Sequence, residues 1–236
     1  MAELIAALDF PDADSALRAA EPLRGELDWV KVGLELFSAT GPHIVFQLKE
    51  LGFRVFVDLK LFDIPNTVQG AVRSLTRSGV DLCTLHLLGG QAMAQAALAG
   101  REEAKGQTAG PLLFGVSLLT SMDMGDLPGA ATQDSTRFAR DLARSAAAWQ
   151  LDGVVCSGHE VRAIKRDSPR LACLTPGIRL EKGTDDQKRV MTPEKAIHAG
   201  SDFLVVGRPI FTAPSPLEMV RTLRKKMVSP TSENDT

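Results

Sequence analysis

Eight short hydrophobic segments recur along the 236-residue chain, and their number and spacing constrain its fold. Each segment is nearly continuous in apolar residues instead of alternating between apolar and polar ones. This pattern is typical of strands buried on both faces of a parallel sheet. The segments are LIAALDF (4–10), WVKVGLE (29–35), RVFVDLK (54–60), DLCTLHLL (81–88), LLFGVSLLT (112–120), DGVVCSG (152–158), LACLTPGI (171–178) and DFLVVGRPI (202–210).

Segments with helical patterns separate these strands. One is predicted to begin at Ser15 as its N-cap, and another ends at Gly52, a residue that favours helix termination. Residues 135–150 are amphipathic and rich in alanine, and residues 192–200 open with a Thr-Pro pair and end in glycine. Strands that alternate with helices predict a parallel sheet with helical crossovers.

Eight strand–helix repeats in a chain of this length favour a single-domain α/β protein with the (β/α)8 TIM-barrel fold. We assign residues 1–228 to this domain and expect the polar tail, residues 229–236, to be disordered. A doubly wound open sheet is the alternative. It is disfavoured because no Gly-x-Gly-x-x-Gly motif follows the first strand.

The charge balance and the cysteines narrow the function classes. The chain has 27 Lys and Arg against 29 Asp and Glu. It therefore has no large positive net charge that would favour binding to nucleic acid or to an anionic membrane. Apolar stretches are too short to span a membrane, and the N-terminus lacks a signal-peptide pattern. Cys83, Cys156 and Cys173 form no paired motif, which predicts buried thiols in a reducing cytoplasm.

Charged residues gather where the first three strands end. Asp9 closes the first strand, Lys31 lies within the second, Asp58 and Lys60 close the third, and Asp63 follows in the next turn. Catalytic groups of barrel enzymes lie at the carboxyl ends of the strands, and buried charges persist mainly when they are paired. These residues are therefore predicted to form an alternating network of three carboxylates and two ammonium groups.

The last two strand ends predict a phosphate site. Barrels often bind phosphate with the loops after strands 7 and 8. The segment 175–193 is long, charged and glycine-bearing, which suits a lid, and the eighth strand is followed by Gly207 and Arg208. Glycine permits close backbone approach and arginine supplies a forked donor. A phosphorylated small molecule is the predicted ligand.

The segment DLKLFDIPNT (58–67) resembles the signature D-x-K-x-x-D-I-P-x-T of the orotidine 5′-monophosphate decarboxylase family. ALDF, VKVGLELF, TPGIR, DDQKR and VVGRPI occur in the family's order, so the resemblance covers nearly the whole chain. It implies cofactor-independent decarboxylation of orotidine 5′-monophosphate to uridine 5′-monophosphate, the last step of de novo pyrimidine synthesis. It implies a homodimer, and neither a cofactor nor a metal.

The resemblance also implies residue roles. Lys60 protonates pyrimidine C6, Asp58 lies beside the departing carboxylate, Lys31 bridges Asp58 and the ribose, and Asp9 binds a ribose hydroxyl. The remaining residues it implies are Thr120 or Ser121 at the base, Arg179, Gln187, Gly207 and Arg208 at the phosphate, and Asp63, Ile64 and Thr67 across the dimer interface.

Two other functions remain open at this point. The D-x-K-x-x-D core is shared with Mg²⁺-dependent sugar-phosphate decarboxylases and synthases, although the Ile-Pro-Asn-Thr extension and the two lysines disfavour them. A catalytically inactive nucleotide-binding barrel is the other, disfavoured by the intact charged residues. His86, near the end of the fourth strand, is predicted to have a structural role.

Overall fold

The computed structural model describes residues 2–106, 109–122, 124–127, 134–180 and 190–228. Within these residues eight parallel strands pair in chain order and close into a barrel, with the first strand paired to the eighth. The predicted (β/α)8 barrel is therefore confirmed. The strands are β1 (Glu3–Leu8), β2 (Trp29–Gly33), β3 (Arg54–Leu61), β4 (Leu82–His86), β5 (Leu112–Val116), β6 (Gly153–Val155), β7 (Ala172–Thr175) and β8 (Phe203–Val206).

Helices connect the strands around the outside of the barrel. Among the described residues, no helix combines the length and the hydrophobicity that a membrane span requires. The α-helices are α1 (Ala13–Ala20), α2 (Leu34–Thr40), α3 (His43–Glu50), α4 (Pro65–Arg77), α5 (Gly90–Ala104), α6 (Ser135–Ala148), α7 (Gly158–Asp167), α8 (Pro193–Ala199), α9 (Arg208–Phe211) and α10 (Pro216–Val228).

Most of the predicted helix ends are confirmed, but the first is wrong. The N-cap of α1 is Asp12, not Ser15, because the Asp12 carboxylate accepts the Ser15 backbone N–H at 2.8 Å. Ser15 is thus the third helical residue, a position whose N–H needs such an acceptor. Gly52 has a φ of +91°, as the predicted stop requires, and Thr192 caps α8.

Apolar side chains fill the amino-terminal half of the barrel interior and form a floor. The Trp29 and Phe114 rings each pack edge-on against Phe203, with ring centroids 5.7 and 5.6 Å apart. The Arg54 guanidinium lies 4.0 Å from the centre of the Trp29 ring at the barrel's end. The interior cluster consists of Ile5, Ala7, Trp29, Phe56, Leu82, Phe114, Leu174 and Val205.

Three aspartates repeat one arrangement at the amino-terminal end of the barrel. Each directly precedes an even-numbered strand, and its carboxylate accepts a backbone N–H from the preceding odd-numbered strand. The donors are Val55 to Asp81 at 2.7 Å, Leu113 to Asp152 at 2.8 Å and Cys173 to Asp202 at 2.7 Å.

A helix cation completes each of these carboxylate clamps. The contacts are Lys49 to Asp81 at 2.8 Å, Arg101 to Asp152 at 2.7 Å and Lys165 to Asp202 at 2.6 Å. Each clamp joins two strands and a helix, so it fixes the pairing of β3 with β4, β5 with β6 and β7 with β8. Charge-assisted hydrogen bonds of this kind are stronger than neutral ones.

We expect Asp152→Ala to lower the free energy of unfolding by about 1–3 kcal/mol, because the Leu113 N–H and Arg101 lose a partly buried acceptor. Chemical denaturation measures the change. Asp141→Ala is the control, since its ion pair with Arg144 is half exposed and worth at most about 1 kcal/mol. Equal stability of the two variants would contradict the role given to the clamp.

Candidate active site

A cavity of about 430 Å³ lies at the carboxyl-terminal end of the barrel. Its floor includes Ala7, Phe56, Leu174 and Val205 from the interior cluster. The side chains above this floor come from residues that end or follow the strands, where barrel enzymes place their chemistry. The predicted site residues that line it are Asp9, Lys31, Asp58, Lys60, Thr120, Ser121, Arg179, Gly207 and Arg208.

Four charged side chains alternate in sign along one wall of this cavity. Lys31 Nζ donates to Asp9 Oδ1 at 3.0 Å and lies 3.8 Å from Asp58 Oδ2. Lys60 Nζ donates to Asp58 Oδ2 at 2.9 Å. The charges therefore run Asp9, Lys31, Asp58, Lys60, which is the predicted alternation without its fifth member, Asp63.

The four side chains differ in their exposure to solvent. Asp58 and Lys31 are 14% and 11% exposed, whereas Lys60 is 30% and Asp9 is 56% exposed. A carboxylate as enclosed as Asp58 is costly to desolvate unless opposite charges and hydrogen bonds compensate it. Asp58 is thus the central charge of the network, and Asp9 is its solvent-facing end.

The backbone at Lys60 departs from a regular strand. Its φ is +52°, a left-handed conformation that is uncommon for residues other than glycine. The register between β3 and β4 shifts between Val57 and Leu61, so the strand carries an irregularity at this point. Asp58 and Lys60 both face the cavity as predicted, but strand alternation alone does not explain the orientation of Lys60.

Two glycines leave room for the charged wall. A Cβ atom at Gly33 would lie 2.9 Å from Lys31 Nζ, closer than such atoms normally approach. At Gly207 it would lie 3.2 Å from Asp9 Oδ2. The contact at position 33 was missed by the sequence analysis, because it involves the end of the Lys31 side chain and not a local backbone requirement.

The residues predicted to bind phosphate follow β7 and β8, and Gly207 adjoins the Asp9 end of the charged wall. Arg208 is the first residue of α9 and Gly207 directly precedes it. Backbone hydrogen bonds join the two ends of the segment 175–193, from Arg179 N to Met191 O at 3.0 Å and from Met191 N to Gly177 O at 3.2 Å. Gln187, predicted to belong to this group, lies outside the described residues.

Asp63, Ile64 and Thr67 do not line this cavity. All three are exposed, and the Asp63 carboxylate accepts the Ile64 backbone N–H at 2.6 Å. Asp63 and Thr67 line a separate surface groove between β3, α2 and α4. The large apolar side chains exposed in this part of the chain are Leu34, Phe62, Ile64 and Leu88.

His86 lies beside the cavity without lining it. Its ring stacks on Phe62 with centroids 5.7 Å apart, and its Nδ1 accepts the Leu88 backbone N–H at 3.4 Å. Burial and, secondarily, the positive charge of Lys60 lower the pKa of His86. These contacts fit the predicted structural role, in which a neutral ring shapes the turn after β4.

The three cysteines are buried free thiols, as predicted. Burial raises the pKa of Cys83 to about 12, and a hydrogen bond with Cys173 followed by burial raises the pKa of Cys156. Such thiols are poor nucleophiles because the thiolate is the reactive form. Within the described residues no group of three or more His, Cys, Asp or Glu side chains is arranged to hold a metal ion.

Thr84 is a buried polar residue that the sequence analysis missed. Its hydroxyl contacts both Asp58 Oδ1, at 2.9 Å, and the Lys60 backbone N–H, at 3.0 Å. The signal was present, since Thr84 is a polar residue within the apolar segment 81–88. Its partners could not be read from the sequence because they belong to the neighbouring strand.

Comparison with known proteins agrees with this geometry. The model of the orotidine 5′-phosphate decarboxylase / HUMPS family matches residues 2–223. The chain is 56% identical over 234 residues to the orotidine 5′-phosphate decarboxylase of Nitratidesulfovibrio vulgaris (strain DP4), covering 97% of this chain and 99% of that protein. It is 54% identical over 230 residues to that of Maridesulfovibrio salexigens, covering 97% and 100%.

A solved structure gives the same result at the level of the fold. The crystal structure of orotidine 5′-phosphate decarboxylase from Lactobacillus acidophilus superposes with a TM-score of 0.87 at 30% identity, covering 97% of this chain and 100% of that one. Sequence, fold and family model agree over nearly the same residues. The chain belongs to the orotidine 5′-phosphate decarboxylase / HUMPS family.

Proposed function

We propose that this protein decarboxylates orotidine 5′-monophosphate to uridine 5′-monophosphate and CO₂ without a cofactor, as the last step of de novo pyrimidine synthesis. The observation that carries the proposal is the alternating wall of Asp9, Lys31, Asp58 and Lys60 in the barrel cavity. The names of the relatives support the choice of substrate.

The reaction demands stabilisation of a localised charge. When the bond from C6 to the carboxylate breaks, CO₂ leaves and the electron pair remains on C6, where no carbonyl is placed to delocalise it. Charges that are already oriented in a cavity with little water stabilise such a pair most effectively. The Lys60 ammonium fulfils this role and then donates one N–H proton to C6, and solvent later restores that proton.

Asp58 has two roles in this scheme. It lies beside the departing carboxylate, and its contact with Lys60 Nζ at 2.9 Å aims the proton donor. Lys31 lies between Asp58 and Asp9, so it links the reacting end of the site to the ribose end. Asp9, the more exposed carboxylate, accepts a hydrogen bond from a ribose hydroxyl, and Thr120 or Ser121 contacts the base.

The phosphate binds at Arg179, Gln187, Gly207 and Arg208, which follow β7 and β8 in the sequence. The hydrogen bonds that join the ends of the segment 175–193 support this assignment, because they bring Arg179 to the cavity. The phosphate takes no part in bond breaking. Its binding energy organises the site around the substrate, so remote contacts raise the rate of the chemical step.

We further propose a homodimer in which Asp63, Ile64 and Thr67 of each subunit reach the other subunit's site. The exposed apolar side chains beside them support an interface, since Phe62 and Ile64 are 62% and 67% exposed. We assign residues 1–228 to the decarboxylase domain. The buried free thiols support a reducing cytoplasm as its location.

Lys60→Ala should lower kcat on orotidine 5′-monophosphate by at least about 10³-fold, because it removes the proton donor and its stabilising charge. Loss of the orotate absorbance in excess EDTA measures the rate. Lys225→Ala, at an exposed position on α10, is the control and should match the unaltered protein. Turnover that requires Mg²⁺ would instead favour the sugar-phosphate enzymes of this barrel group.

Arg208→Ala should lower kcat/KM on orotidine 5′-monophosphate by about 10- to 100-fold, the usual effect of losing a hydrogen bond to a charged group. The same variant should leave the slow turnover of orotidine, which has no phosphate, unchanged within about threefold. An equal loss on both substrates would contradict the assignment of Arg208 to the phosphate.

Ile64→Asp should separate the dimer, because a buried unpaired carboxylate is costly at an apolar interface. Analytical ultracentrifugation measures the mass of the variant in solution. Its decarboxylase activity should fall as the dimer dissociates, because Asp63 and Thr67 are then withdrawn from the partner's site. Phe46→Asp is the matched control, since Phe46 is an exposed aromatic residue on α3. A fully active monomer would refute the shared site.

A further inference from the structure

We infer that Thr84 is a positioning residue for the decarboxylation, one that ties the Asp58 carboxylate to the backbone of Lys60. The inference rests on the roles proposed above for Asp58 and Lys60. Thr84 lies on β4, is fully buried and does not line the cavity. It therefore acts on the substrate only through its two neighbours.

The direction of both hydrogen bonds follows from the chemistry of the groups. The Thr84 hydroxyl oxygen accepts the Lys60 backbone N–H at 3.0 Å, since an amide N–H only donates. The hydroxyl proton then points to Asp58 Oδ1, 2.9 Å away, since a carboxylate only accepts. One side chain thus satisfies a backbone donor and a carboxylate acceptor at the same time.

The two oxygens of Asp58 have different partners. Oδ1 accepts from Thr84, whereas Oδ2 accepts from Lys60 Nζ at 2.9 Å and lies 3.8 Å from Lys31 Nζ. The bond from Thr84 therefore fixes the rotation of the carboxylate group. Without it, Oδ1 and Oδ2 could exchange or tilt, and the lysine that Oδ2 holds would shift with them.

The same hydroxyl supports the strained backbone of Lys60. The register of β3 against β4 shifts around this residue, and its N–H donates to the side-chain hydroxyl of Thr84. A left-handed φ of +52° in a residue other than glycine persists only when the surrounding structure holds it. Thr84 supplies such a restraint.

These contacts form a closed ring from the Lys60 backbone through Thr84 and Asp58 to Lys60 Nζ. Thr84 thereby holds the backbone of Lys60 directly and its Nζ through Asp58. Catalytic groups must be held within about 0.5 Å of their working position, and a misplacement of about 1 Å can cost about 10²-fold in rate. Loss of the ring should therefore reduce kcat more than substrate binding.

Thr84→Val is the first test, because valine keeps the branched shape and removes only the hydroxyl. We expect kcat to fall by about 10²-fold while KM and the affinity for uridine 5′-monophosphate change by less than about threefold. Thr175→Val is the matched control. Thr175 is also a fully buried threonine on a barrel strand, but it bonds to Ser201 and lies outside the cavity lining.

Thr84→Ser and Thr84→Ala keep the test decisive if the valine variant does not fold. These two differ only in the hydroxyl, so the serine variant should retain at least about tenfold more kcat than the alanine variant. Equal kcat values for serine and alanine, or a valine variant with unchanged kcat, would overturn the inference. A loss confined to KM would also overturn it.

Lys60→Ala separates this inference from the proposed function. If Lys60→Ala keeps its activity, the proposed chemistry is wrong and the role of Thr84 falls with it. If Lys60→Ala is inactive while Thr84→Val is not, only the role of Thr84 is wrong. Thr84→Val should slow the Lys60→Ala enzyme by much less than it slows the unaltered enzyme, because the part of its effect that passes through Lys60 is then absent.

Discussion

The enclosed carboxylate of Asp58 is the group on which the other features of the site depend. It is 14% exposed and contacts Lys60, Lys31 and Thr84 through its two oxygens. A carboxylate so placed is stable only while these partners remain, since a single lost partner leaves a charge that water no longer solvates fully. The same partners aim Lys60, so the contacts that stabilise the buried charge also orient the proposed proton donor.

The contacts that stabilise the barrel and the residues proposed for catalysis lie at opposite ends of it. At the amino-terminal end, the clamps built on Asp81, Asp152 and Asp202 fix strand pairing, and an apolar cluster fills the interior above them. At the carboxyl-terminal end, the interior is not filled by apolar side chains and contains the cavity. Charged residues can occupy that end because the packing needed to hold the strands together lies elsewhere.

Much of the fold and of the site could be predicted from the sequence. The eight apolar segments identified all eight strands, and Gly52 and Thr192 marked helix ends, because these signals depend on residues close together in the chain. Charged residues at strand ends identified Asp9, Lys31, Asp58 and Lys60 as neighbours. The N-cap of α1 was predicted wrongly because Asp12 and Ser15 are both residue types that favour this position. The backbone conformation of the folded chain places Asp12 there.

Local sequence patterns were enough to predict the number and order of the strands, the end of the barrel that carries the charges, and the residue types available there. The contacts between those residues depended on how the strands pair in the folded chain. Thr84 contacts Asp58 and Lys60 across 26 and 24 residues of chain, and Gly33 leaves room for the ammonium group of Lys31. Such contacts depend on the register between strands and on a left-handed backbone at Lys60, neither of which has a period that a linear pattern can show.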